Sequence, residues 1–174
     1  MPYRLEILAH HPKNTVPDGR ALKIEALLKT MGHEAQVTVT DVYTSENEAL
    51  FSNELISGLC NPVTQTAIQY PANNNDLPDF DWALEIGFLP GVTDNVGHTV
   101  EELLQLSGAN DNTQCFSSRL YLIKGDLAQS EIEDLAAQLH NPLIQQARIK
   151  SAEAFKNDGG MDVVLPVVNL TNQS

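Results

Sequence analysis

Apolar residues alternate with polar ones from Tyr3 to Ala9, with Tyr3, Leu5, Ile7 and Ala9 set against Arg4, Glu6 and Leu8. A period of two predicts a β-strand with one covered face. The polar stretch His10 to Pro17 leads to Asp18, a good helix N-cap. Ala21, Ile24, Leu27, Leu28 and Met31 then keep helical spacing until Gly32, so an amphipathic helix with one buried stripe is expected. From Gln36 to Thr44 the β-branched types favoured in strands recur, with Val37, Val39, Asp41 and Tyr43 on one side and Thr38, Thr40 and Val42 on the other. Glu46 to Leu59 reads as a second helix, closed by Asn61-Pro62 because the residue before proline avoids helical dihedrals. Thr64 to Tyr70 reads as a third strand.

Pro71 to Asp81, rich in asparagine, aspartate and proline, predicts a linker that contributes nothing to a core. The cycle then restarts. Trp82 to Leu89 is a strand, with Leu84, Ile86 and Phe88 against Glu85 and Gly87. Thr99 and Glu102 form a capping box ahead of Val100, Leu103, Leu104 and Leu106, with Gly108 as the stop. Phe116 to Ile123 matches the second strand. Ser130 and Glu133 form another box ahead of Ile132, Leu135, Ala136 and Leu139, which Asn141-Pro142 ends. The apolar run Met161 to Val168 reads equally as a last strand or as a connection into a further domain.

The two halves agree residue for residue in places. Leu5-Glu6-Ile7 returns as Leu84-Glu85-Ile86 at an offset of 79, Val42-Tyr43 as Leu120-Tyr121 at 78, and Gly19-Arg20 as Gly97-His98 at 78. The longest echo sets Leu59-Cys60-Asn61-Pro62-Val63-Thr64-Gln65-Thr66-Ala67 against Leu139 to Ala147 at an offset of 80, sharing Leu, Asn-Pro, Gln and Ala. One supersecondary unit built twice explains the agreement. The expected fold is α+β, with two β-α-β-α-β repeats (3–70 and 82–151), a linker over 71–81 and an extension over 152–174. They would form a pseudo-dimer of antiparallel sheets flanked by helices.

Composition narrows the function. A length of 174 residues with 42% hydrophobic content supports one compact core without disulfides or metal. The net charge of −13 repels polyanions, which argues against nucleic acid as a partner. Nothing approaches the roughly 18 continuous apolar residues of a membrane span, and neither end shows a basic region followed by an apolar run, so a soluble, unprocessed chain is expected. Cys60 and Cys115 make no zinc or CxxC spacing, so reduced thiols and a cytoplasmic location are expected.

Catalytic constellations are sparse. The five histidines show no i, i+4 metal-site pair, and His10-His11 beside Pro12 reads as loop. No G-x-S-x-G elbow is present. Glu101-Glu102 and Glu131, Glu133 and Asp134 sit near helix starts, where carboxylates favour the macrodipole. The strip Pro90-Gly91-Val92-Thr93-Asp94-Asn95-Val96-Gly97-His98 lies between a strand and a helix, where backbone donors meet anions. It lacks the lysine of a Walker loop and the G-x-G-x-x-G spacing, and Asp94 adds a negative charge. A turn with an N-terminal cap is the plainer reading.

That strip also resembles the signature of the PurS-like region of phosphoribosylformylglycinamidine synthase. Gly91-Val92-Thr93-Asp94-Asn95-Val96-Gly97 matches its Gly-Val-x-Asp-x-x-Gly stretch at each fixed position, whereas the first repeat keeps only Asp18-Gly19-Arg20. Ser118 to Asp126 and Leu139 to Gln145 are similar to the second strand and closing helix of that region, and the likeness runs from about Tyr3 to Ile149. The resemblance implies a non-catalytic scaffold, two fused PurS-like halves equivalent to a dimer. It would dock the glutaminase and synthetase parts of an enzyme that amidates formylglycinamide ribonucleotide with glutamine and ATP. ATP, magnesium and the cysteine nucleophile then belong to those other parts, so neither Cys60 nor Cys115 inherits a catalytic role. Pro90, Gly91, Thr93, Asp94, Asn95, Gly97 and His98 are the expected docking residues; a rigid turn that merely starts the helix accounts for the same glycines. A small-metabolite regulatory module, with its ligand at the seam between halves, is the competing reading from another class. A stand-alone enzyme using the histidines has no constellation behind it.

Overall fold

The computed structural model describes residues 2–9, 18–70 and 77–167. His10-His11, most of the expected linker and the end of the apolar tail lie outside the described residues. The elements follow in the order β1 (Tyr3–Ala9), α1 (Gly19–Thr30), β2 (Gln36–Ser45), α2 (Asn53–Leu59), β3 (Gln65–Gln69), β4 (Trp82–Phe88), α3 (Asn95–Leu106), β5 (Cys115–Lys124), α4 (Gln129–Leu139), β6 (Gln145–Ser151) and α5 (Ala152–Asp158). A single 3-10 turn, Glu48–Phe51, precedes α2.

The fold is α+β. Its strands form one six-stranded sheet in the order β3-β1-β2-β5-β4-β6, with every pairing antiparallel. The two sheets expected from the sequence therefore run together through β2 and β5, which pair along their whole lengths from Gln36–Lys124 to Ser45–Cys115. The ladders on either side of this seam correspond. Moving β1 by 79, β2 by 78 and β3 by 80 positions carries the pair Leu5–Tyr43 onto Leu84–Tyr121 and Ile7–Ala67 onto Ile86–Ala147. These are the offsets of the echoed tripeptide, of Val42-Tyr43, and of the Asn-Pro stretch.

Helices cover one face of the sheet in a crossed arrangement. The stripe of α1, Ala21, Ile24 and Leu28, packs with Ile132, Leu135 and Ala136 of α4 over Val37, Val39, Leu84, Ile86 and Ile123. In the other cluster, Val100 and Leu104 of α3 pack with Leu50 and Leu55 over Leu5 and Ile7. The first helix of each half thus shares a core with the second helix of the other.

Four sequence expectations change. The helix expected over Glu46 to Leu59 is split, because Ser52 is extended and caps α2 by accepting from the Leu55 N–H. α3 starts at Asn95, ahead of the expected Thr99–Glu102 box; Thr99 Oγ1 instead donates to the Asn95 carbonyl inside the helix. α4 starts two residues early, and Glu131 rather than Glu133 accepts from the backbone N–H of the capping residue, Ala128 rather than Ser130. Counted from their caps, Asp18 and Asp94, helices α1 and α3 correspond at an offset of 76, so Gly19-Arg20 and Gly97-His98 do not occupy equivalent positions.

The second face is covered as well, which the alternation in β1 did not suggest. Phe155 of α5 and Met161 bury against Val42, Ala83, Leu120 and Leu122, with Leu77 and Phe80 alongside. The end of the expected linker is thus part of a core, and the described part of the apolar tail, 161–167, forms no strand. On this face Arg4, Glu6 and Glu85 are almost wholly buried. Arg4 Nη2 lies 2.8 Å from Glu6 Oε1 and Nη1 lies 3.0 Å from Glu85 Oε1, which also accepts from Ser118 Oγ at 2.6 Å. Burial works against the charge on Arg4, yet Glu85 and Glu6 beside it hold its pKa above the ordinary arginine value. Burial raises the Glu6 carboxyl, against the pull of Arg4.

Candidate functional site

The strip Pro90 to His98 leaves β4, turns, and enters α3. Val92 N–H donates to the Leu89 carbonyl, and Gly91 supplies the positive φ of 83° that the turn requires. Leu89 N–H donates to the Ile144 carbonyl at 2.9 Å, which fixes the strip to the turn between α4 and β6. That turn is built by Asn141: its Oδ1 accepts from Leu143 N–H, its own N–H donates to Gln145 Oε1, and its carbonyl accepts from Gln145 N–H. Asn61 makes the same set with Val63 and Gln65. The shared Asn-Pro and Gln of the longest sequence echo are therefore one hydrogen-bonded turn used twice.

Asp94 holds the strip to the sheet. It is 6% exposed. Its Oδ1 accepts from Gly97 N–H at 2.8 Å, capping α3, and from Ser117 Oγ at 2.7 Å; its Oδ2 accepts from Ser117 N–H at 2.6 Å. Gly97 lets the helix come this close, because a Cβ there would lie under 3 Å from the Cys115 carbonyl oxygen and from the Asp94 carboxylate. A second tie comes from Glu101, whose Oε1 accepts from Cys115 N–H at 2.9 Å and whose Oε2 meets His98 Nδ1 at 2.8 Å. The hydrogen bond and the charge of Glu101 raise the His98 pKa above its ordinary value.

The expected docking residues accordingly divide in two. Asp94 and Gly97 are buried and structural, whereas Pro90, Gly91, Thr93, Asn95 and His98 are exposed. Of the exposed set, Gly91, Thr93 and His98 line a cleft of about 420 Å³ that Pro166 and Val167 also line. Ser117 is not singled out by the sequence, and Glu101, expected there as a carboxylate favouring the macrodipole, is tied to Cys115 and His98. The i, i+3 spacing of His98 and Glu101 could have flagged the tie to His98; no local pattern connects Asp94 with a serine in the next strand.

Chemistry in this cleft is limited. The Cys115 thiol faces burial and the charge of Asp94, which push its pKa up to about 12 and leave it unreactive. Cys60, half-buried, is raised by burial too. Among the described residues no group of three or more His, Cys, Asp or Glu side chains is placed to hold a metal, and no helix is long and apolar enough to cross a membrane. The cleft is lined by Phe88, Leu89, Val92 and Phe116 beside the polar Thr93 and His98. No protein-family model matches the chain, and no curated protein matches it either.

Proposed function

We propose that this chain is the PurS-like scaffold of a phosphoribosylformylglycinamidine synthase, acting in the cytoplasm in purine synthesis without catalysis of its own. On this reading it is a pseudo-dimer of two fused repeats. It fixes glutaminase and synthetase parts relative to one another, so that ammonia released from glutamine reaches the activated formylglycinamide ribonucleotide. ATP, magnesium and the glutaminase cysteine are held by those partners.

One observation carries the proposal: the three sequence offsets, 78, 79 and 80, are also the offsets between corresponding ladders on the two sides of the β2·β5 seam. A fused dimer of one unit requires that agreement. The Gly-Val-x-Asp-x-x-Gly strip adds to it, since each fixed position has a physical role: Gly91 the turn, Asp94 the cap and strand tie, Gly97 the close approach. The exposed residues on that rigid base, Pro90, Gly91, Thr93, Asn95 and His98, form the docking surface.

The test is reconstitution with purified synthetase and glutaminase from the same source. Glutamine-dependent amidation and co-elution should depend on this chain, and Thr93→Ala and Asn95→Ala together should weaken co-elution without lowering the melting temperature. A chain that neither binds nor alters the rate overturns the proposal.

A further inference from the structure

The two halves differ at one matched pair of positions on the helix-covered face. Arg20 and Val96 are each the second residue of their helix, counted from the caps Asp18 and Asp94. Arg20 reaches over the sheet: Nη1 lies 2.9 and 3.0 Å from the two carboxylate oxygens of Asp41, and Nη2 lies 3.0 Å from Asp18 Oδ2. Val96 has no such reach. It is 54% exposed and lines an open cleft of about 270 Å³.

The strand residues beneath are matched too. Asp41 and Arg119 lie opposite each other in the β2·β5 ladder and correspond at the offset of 78. Asp41 is engaged by Arg20. Arg119 lines the open cleft with its side chain 46% exposed, and its acidic partner among the described residues is Asp41, 3.7 Å from its Nε and already shared. One groove is thus filled by an arginine that pairs with an aspartate, whereas the other holds an arginine facing space that no side chain of the described residues fills.

We propose that this second groove binds a small organic carboxylate. The carboxylate takes the Arg119 guanidinium, whose fork suits two parallel charge-assisted bonds, and an apolar body lies among Tyr43, Ile86, Phe88, Tyr121 and Leu139. The volume falls just short of the range typical of drug-sized ligands, about 300–1,000 Å³, which limits the occupant to a small metabolite. A monoanion suits the site better than a phosphate dianion, because Asp41 lines the same groove 3.7 Å from Arg119 Nε and the chain carries a net charge of −13.

The site is independent of the scaffold reading, and its test uses the chain alone. Benzoate is titrated into the ¹⁵N-labelled protein, with benzamide as the neutral isostere and inorganic phosphate as the alternative anion. Benzoate should shift the Gly87 and Arg119 amides saturably in the millimolar range, and benzamide should not. Arg119→Ala should weaken binding by about tenfold or more, and Val96→Trp, a bulky neutral side chain at the groove, should block it and weaken binding likewise. Equal shifts with benzamide, saturation by phosphate instead of benzoate, no saturable shift up to about 20 mM, or unchanged affinity in both variants overturns the proposal. Because no partner enters the assay, failure here leaves the reconstitution test of docking untouched.

Discussion

Replacing Asp94 by alanine removes three contacts at once, and their separate magnitudes add to a measurable loss. The cap on Gly97 N–H contributes about 1 kcal/mol. The two Ser117 donors, N–H and Oγ–H, lose a charged acceptor, and hydrogen bonds to charged groups are worth about 1.5–3 kcal/mol each. Ser117 is only half-buried, so water recovers part of that, and the expected destabilisation is about 3 kcal/mol. With a urea m-value of about 2 kcal/mol/M, the unfolding midpoint should fall by about 1.5 M. Trp82, whose Nε1 donates to the Leu127 carbonyl, provides a fluorescence signal for the transition. Ser117→Ala removes only the hydroxyl bond and should cost about 1 kcal/mol. The double variant should cost less than the sum of the two single changes, because they share a partner. A midpoint that moves by less than about 0.3 M at constant m refutes the reasoning, since the strip would then be held by something other than Asp94.

Gly97→Ala and Gly19→Ala should move stability in opposite directions. At Gly97 a helix-propensity gain of about 1 kcal/mol meets an overpacking cost of about 1–3 kcal/mol against a backbone carbonyl that cannot move aside, so a net loss of about 1 kcal/mol is expected. At Gly19 a Cβ meets nothing within 4 Å, and a gain of about 0.5 kcal/mol should appear in the same urea titration; a loss at Gly19 equal to that at Gly97 contradicts the packing argument. His98 should titrate by NMR above its ordinary value of about 6.5 and return toward it in Glu101→Gln. Since its folded-state pKa is raised, its contribution to stability is present below the unfolded value and is lost as pH rises through the folded one. An unchanged midpoint in Glu101→Gln removes that contact as the cause.

Much of the secondary structure was legible because local patterns and tertiary demands agree. Asp18, the stripe Ala21, Ile24 and Leu28, and the stop at Gly32 each act within a few residues of one another, and α1 follows them. α3 is different: Asn95, Val96, Gly97 and His98 are weak helix formers, so the Thr99–Glu102 pair looked like the better start. Asp94 begins the helix earlier because Ser117, in the next strand, completes its hydrogen bonds. Arg4 and Glu6 looked solvated because period-two alternation records polarity and not what lies above a face. The Tyr70 ring lies 5.1 Å from the Arg4 guanidinium, and the partner of Arg4 in the second half, Glu85, is 81 residues away. In the candidate site, the local spacing of the strip was readable; the division into buried Asp94 and Gly97 and an exposed remainder depends on the approach of α3 to β5.

The crossed helices make the order of synthesis a problem for this chain. Ala21, Ile24 and Leu28 leave the ribosome long before Ile132, Leu135 and Ala136, the residues of α4 that share their cluster. At about 5–20 residues per second the wait is about 5–20 s. Throughout that interval the α1 stripe has Val37 and Val39 of its own half to pack on but not α4, and the edge of β2 is unpaired because β5 is also still to come. Completion of the α1 core therefore waits for the second half. Pulse-labelled nascent chains arrested before Gln129 should be protease-sensitive across α1.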